Sequence, residues 1–142
     1  MHNNNIHAVL EERQKRYEKA ISDSKAFFAF SDTQFTEGMA GLGLTTSDED
    51  TKRITYIGGA GGYILKDNAG ALVKAMKAVD DWFASLTPEG STLRTDYIRY
   101  ELANHEAGYT GDIESTLDAI GERFTAGEVL AVFNEKYAHI YA

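Results

Sequence analysis

From Asp67 or Asn68 to Leu86, the apolar residues Leu72, Met76, Val79, Phe83 and Leu86 follow one another at spacings of four, three, four and three. No other stretch constrains the fold as firmly. That period places all five on one face of an α-helix, and a helix with one apolar face must bury it against something. The methionine in the stripe reads as a packing filler, since thioethers fill irregular gaps. The residues upstream supply a surface to cover. Residues 53–57 and 63–66 are short β-prone runs on either side of Gly58-Gly-Ala-Gly-Gly62, the pattern of a β-hairpin with a glycine-rich connection. Two strands alone are marginal, so residues 26–30, an apolar run with two-residue alternation, are expected to complete a small sheet. Phe27, Phe28 and Phe30 in that run read as core.

The remaining segments read as helices. Asn5 can cap a first helix over residues 6–22, with Ile6, Val9, Leu10, Tyr17 and Ile21 on its stripe. Ser31-Asp-Thr-Gln34 has the form of a capping box and opens a second, short helix that ends near Gly41 or Gly43. Residues 45–51 are polar, acidic and without period, and read as a mobile loop. Thr87-Pro88 or Ser91 starts the next helix, which Gly108 stops, and Asp112 caps a short one ending at Gly121. Thr125-Ala-Gly-Glu128 is a second capping box and opens the last helix, with Val129, Phe133, Tyr137 and Ile140 inward. The fold class is therefore α+β. A small antiparallel sheet of about three strands, with a glycine-rich hairpin, packs with about five to six helices. At 142 residues one domain spanning 1–142 is expected.

The chain has no cysteine, which removes disulfides, thiolate nucleophiles and cysteine-based metal sites. Neither a basic start followed by an apolar segment nor a long apolar run is present, so a cytoplasmic, soluble protein is expected, without membrane contact. The net charge is −8, and residues 101–135 hold eight acids against the single base Arg123, a local balance of −7. Such a segment repels nucleic acid, whereas a basic protein surface would be drawn to it.

Residues 97–112 place ionisable groups where an apolar stripe belongs. At about 100° per residue, Glu101, Asn104 and His105 fall in the same arc as Leu93, Tyr97, Ile98, Tyr100 and Leu102. Polar groups turned toward a core must be satisfied there. Glu101 and His105, four residues apart, can pair on one helix face, which would favour the charged imidazole. With Tyr109 and Asp112 they form either a structural network around the turn at residues 108–111, a recognition site, or a poised acid–base group. The group contains no obvious nucleophile and no second histidine at metal-ligand spacing, so neither metal nor cofactor is expected. The glycine run fits neither the dinucleotide fingerprint nor the P-loop. It reads as a turn needing positive φ, or as a close backbone approach to a ligand at Gly59 and Gly61.

Three blocks taken together resemble a family of small, functionally uncharacterised proteins carried by bacteriophages and other mobile elements. They are residues 27–38 (FFAFSDTQFTEG), 59–66 (GAGGYILK) and 100–112 (YELANHEAGYTGD), and the similarity spans residues 27–121. Where such relatives carry cysteine after the His-Glu pair, this chain has Ala107, which argues against a thiol or metal role for the turn. The resemblance implies an accessory protein of the host-cell cytoplasm rather than a reaction. The expected function is non-enzymatic binding of a host factor with a basic surface, specifically inhibition of a bacterial defence system such as a CRISPR nuclease. Tyr97, Glu101, Asn104, His105, Tyr109, Asp112, Glu114, Asp118 and Glu122 are the candidate contact residues, with Gly59 and Gly61 beside them. Two alternatives stay open: a binder that sequesters a small nucleotide signal, and a hydrolase built on His105.

Overall fold

Asn5 caps the first helix as expected, its side-chain oxygen accepting the His7 amide at 2.7 Å, and helix α1 (Ile6–Asp23) follows. The computed structural model describes residues 5–57 and 61–141, the last four of these by backbone only. Strand β1 (Phe27–Phe28), helix α2 (Asp32–Gly41), helix α3 (Asp48–Thr51), strands β2 (Ile54–Ile57) and β3 (Gly62–Leu65) and helix α4 (Lys66–Leu86) come next. Helices α5 (Thr92–Asn104), α6 (Ala107–Thr110), α7 (Glu114–Ile120) and α8 (Ala126–Tyr141) complete the chain. The fold is α+β, with a three-stranded antiparallel sheet in the order β1-β3-β2. Six of the described helices answer the periodic and capped segments of the sequence; the other two, α3 and α6, are four-residue turns of helix. Among the described residues, no helix is long and apolar enough to cross a membrane.

The chain clusters into two compact units, Glu11–Asp81 and Met1–Leu10 with Trp82–Ala142. We call the first the sheet unit and the second the acidic unit.

In the sheet unit, Ile64 of β3 is fully buried with Ala20 of α1 and Leu72 of α4, and Ile57, Ala69, Ala75 and Met76 pack around them. The α4 stripe therefore meets one sheet face at its N-terminal end. Ser24 is buried, its hydroxyl donating to the Ile21 carbonyl, while the Asn68 amide donates to the Ser24 carbonyl at 3.0 Å. On the opposite face the register Phe27↔Tyr63↔Tyr56 stacks three rings across the three strands. Their centroids are 5.4 and 5.1 Å apart, and Phe35 of α2 meets Tyr63 edge-on at 5.0 Å. Offset and edge contacts of this kind are the favourable arrangements of aromatic quadrupoles. The reading of Phe28 and Phe30 as core is corrected: they are 50% and 76% exposed, Phe28 at the end of a strand only two residues long and Phe30 beyond it.

The expected mobile loop at residues 45–51 is also corrected. Ser47 caps α3, its hydroxyl accepting the Asp50 amide, and the Asp50 carboxylate accepts both the Thr45 amide at 2.7 Å and the Thr45 hydroxyl at 2.8 Å. These bonds hold Asp50 below its ordinary carboxyl pKa. A segment with no hydrophobic period is ordered here by side-chain capping together with the backbone bonds of one helical turn, Thr51 to Ser47 and Lys52 to Asp48.

The acidic unit has the larger core. Ile6 and Val9 of α1, Phe83 of α4, Tyr97, Ile98 and Leu102 of α5, Ile120 of α7 and Val129, Val132 and Phe133 of α8 are buried together. The Thr125–Glu128 box forms reciprocally: the Glu128 amide donates to the Thr125 hydroxyl at 3.1 Å and the Thr125 amide to the Glu128 carboxylate at 2.8 Å. At Ser31 the hydroxyl accepts the Gln34 amide, but Gln34 reaches back to the Phe30 amide, one residue before the cap.

Candidate functional site

The buried face of α5 consists of Arg94, Tyr97, Ile98, Glu101 and Leu102. With Tyr97 at zero, that face spans an arc from about 0° to about 140°. Glu101 and His105 fall inside it. Asn104, at about −20°, falls outside and is exposed, so its inward placement is corrected. Leu93 and Tyr100 had stretched the expected arc to its far side, and both are only half-buried.

Glu101 is 7% exposed, and the His105 Nε2 lies 3.4 Å from its Oε2. His105 is the C-cap of α5, its amide donating to the Glu101 carbonyl at 3.0 Å. The buried Thr116 of α7 directs its hydroxyl at that same carbonyl from 3.5 Å. The pair thus sits where α5 ends and α7 leans on it. Tyr97 is interior rather than presented to a partner: its ring packs edge-on to Phe83 at 4.8 Å and against Phe124 at 5.4 Å.

Beyond His105 the chain reverses differently from expectation. Gly108 does not stop α5. Glu106 does, by taking the left-handed conformation at φ 54°, and Gly108 lies inside α6. The need for glycine at 108 is spatial, since a Cβ there would come within 2.4 Å of the Tyr137 ring. Tyr109 is 90% exposed. Asp112 stays outside the Glu101–His105 pair: its carboxylate accepts the Glu114 amide at 2.9 Å from one residue before the N-cap position, which Ile113 and not Asp112 occupies, and among the described residues nothing joins it to either partner. Gly61 has φ 75°, and its carbonyl accepts the Ala29 amide at 2.9 Å, a structural use of the turn. Gly59 lies outside the described residues.

Of the eight acids between residues 101 and 135, three are engaged. Glu101 faces His105, Glu128 faces Arg94, and Glu135 lies 3.3 Å from Arg99. Glu106, Asp112, Glu114, Asp118 and Glu122 are exposed and have no ion-pair partner among the described residues. Glu114 and Asp118 share a helical face, four residues apart.

The most tightly built polar centre went unnoticed in the sequence. Arg94, 9% exposed at its side chain, donates from Nε and Nη2 to the two carboxylate oxygens of Glu128, at 2.5 and 2.9 Å. Nη1 donates to the Thr87 carbonyl at 2.9 Å and Nη2 to the Arg123 carbonyl at 2.6 Å, and the guanidinium lies 4.0 Å over Phe124. Hydrogen bonding to Arg94, with help from the Thr125 amide, lowers the Glu128 carboxyl to about 2, and Glu128 in turn raises Arg94. This clamp joins the starts of α5 and α8 to the segments before them and spends four of the five guanidinium N–H donors within the chain. A signal was available: at about +60°, Arg94 sits in the middle of the apolar arc.

Chemically, the site offers one imidazole–carboxylate pair and one free acidic band. No hydroxyl among the described residues hydrogen-bonds the His105 ring, and no group of three or more metal-ligating side chains occurs among them. Comparison with known proteins adds one finding: the model of a family of unknown function, DUF7659, matches residues 10–140. No curated protein and no solved structure matches the chain.

Proposed function

The chain belongs to DUF7659, a family of unknown function, and from that premise we propose that it is a non-enzymatic binding protein whose acidic band docks on a basic protein surface. The observation that carries this reading is the division of labour among the acids of residues 101–135. Three are spent on internal partners, while Glu106, Asp112, Glu114, Asp118 and Glu122 are all held at the surface. Charges left unpaired on one stretch of surface steer association with an oppositely charged partner and contribute mainly through on-rate and specificity. The resemblance of the three sequence blocks to phage and mobile-element proteins supports a host factor as the partner in this reading, specifically a bacterial defence nuclease that the chain would inhibit in the host cytoplasm. Basic nucleic-acid channels are the natural complement of such a band.

Titration calorimetry against purified defence nucleases over a range of salt tests it. The expected result is binding that weakens at least about tenfold between low and high salt, and by a similar factor on triple charge reversal at Glu114, Asp118 and Glu122. Association indifferent to both treatments would sink it.

A second reading has one observation in its favour. Phe35, Thr51, Ile54, Thr55, Tyr56 and Tyr63 of the sheet unit line a groove of about 330 Å³, near the lower size limit of small-ligand sites. A nucleobase could stack there on Tyr56, which is 74% exposed. Absence of any thermal shift across cyclic and linear nucleotides would remove this alternative. A hydrolase built on His105 has less in its favour, since its one partner among the described residues is Glu101.

A further inference from the structure

In the acidic unit, Ala103, Glu106, Gly108, Tyr109 and Tyr137 line an open groove of about 570 Å³. Two of its five lining residues are tyrosines and one is a carboxylate. The Tyr137 ring is pressed onto the α6 backbone at Gly108, with no room for a Cβ between them, so one aromatic wall is fixed. The other, Tyr109, is 90% exposed. Glu106 occupies the left-handed region at φ 54°, ψ 30°, with no side-chain capping bond and no ion pair or hydrogen bond from its carboxylate among the described residues. Glycine would adopt that conformation with less strain, so the backbone gives no reason for a glutamate at this position.

We propose that this groove seats the guanidinium of one arginine side chain from the basic partner, an inference that rests on the acidic-band reading above. A planar cation fits the chemistry of the lining. Tyrosine faces attract cations within about 6 Å; the chain's own Lys136 Nζ already lies 5.4 Å from the Tyr137 centroid, so the incoming cation stacks on the exposed Tyr109 ring. A guanidinium adds what an ammonium lacks: it stacks flat on an aromatic ring while its fork donates two parallel hydrogen bonds to a carboxylate. Glu106 is the free carboxylate at the groove. Asp112, Glu114, Asp118 and Glu122, which follow it in sequence, supply the field that brings a basic surface in.

The test compares hexa-arginine with hexalysine, peptides of equal charge, by calorimetry on the full chain. The arginine peptide is expected to bind about tenfold more tightly. Glu106→Gln and Tyr109→Ala should each collapse that ratio toward one. Glu106→Gly should do the same while leaving the melting temperature unchanged or raised, which separates loss of the seat from loss of the fold. Equal affinity for the two peptides, or a ratio that survives Glu106→Gln and Tyr109→Ala, overturns the arginine seat. Charge reversal at Glu114, Asp118 and Glu122 reports separately on the band: if it leaves the affinity for both peptides intact, or if neither peptide binds at all, the acidic-band reading itself fails.

Discussion

The two units solve the problem of holding polar and aromatic residues together in opposite ways. The acidic unit has four basic against ten acidic residues, a net −6, while the sheet unit has ten against twelve, a net −2. Yet the acidic unit is the one that buries an arginine, and it buries Tyr97 beneath Phe83 and Phe124. The sheet unit has a smaller buried cluster and leaves Phe28, Phe30 and Tyr56 in solvent. Charge is thus no guide to which half spends its ionic groups internally. What decides is geometry: two helix starts and two carbonyls converge on Arg94, and no comparable convergence exists in the sheet unit among the described residues.

Arg94→Ala should break the comparison most severely. It leaves Glu128 without its counter-ion and removes the guanidinium from the Thr87 and Arg123 carbonyls; truncation of one member of a fully buried pair costs about 3–5 kcal/mol, an upper bound here because the Glu128 side chain is 26% exposed. Chemical denaturation would measure it, and a loss below about 1 kcal/mol, the range of surface pairs, would show the clamp to be ornamental.

Acid should reproduce part of the same loss. The folded Glu128 carboxyl titrates near 2, below its ordinary 4.5. Its contribution is therefore complete above about 4.5 and disappears as the pH falls toward about 2. Asp50 in the sheet unit is displaced in the same direction by the Thr45 amide and hydroxyl, so it loses stability with the same sign. Melting temperature followed down through this window should fall less steeply in Glu128→Gln than in the natural chain; parallel curves would remove Glu128 from the account.

Smallest of the three is Gly38→Ala in the sheet unit. A Cβ at position 38 would lie 2.1 Å from the Phe27 ring, so α2 must shift or the ring must leave the ladder. Overpacking of this kind costs about 1–3 kcal/mol. A neutral outcome would mean that the ladder yields freely, and a loss larger than that of Arg94→Ala would reverse the contrast between the halves.

What the sequence disclosed follows from the range of the interactions involved. The stripe at Leu72–Leu86, the caps at Asn5 and Ser31 and the box at Thr125 are local patterns written within a few residues, and each lies where expected. The pairing of Glu101 with His105 is equally local. Arg94 and Glu128 stand 34 residues apart, and no spacing rule connects them. Residues 45–51 escaped notice for a related reason. Their order comes from Thr45, Ser47 and Asp50 binding backbone and one another, and such a segment is as polar as a disordered one. Asn104 was misplaced because an arc drawn around every apolar residue of α5 is wider than the arc the core covers.

Trp82 is the chain's only tryptophan, and it packs against the core of the acidic unit. Indole emission from this protein is consequently a reporter of the packing of that core. A red shift on heating or on addition of a basic peptide would record events around α4 and α5, while the hairpin and its ring ladder stay dark at the same wavelength.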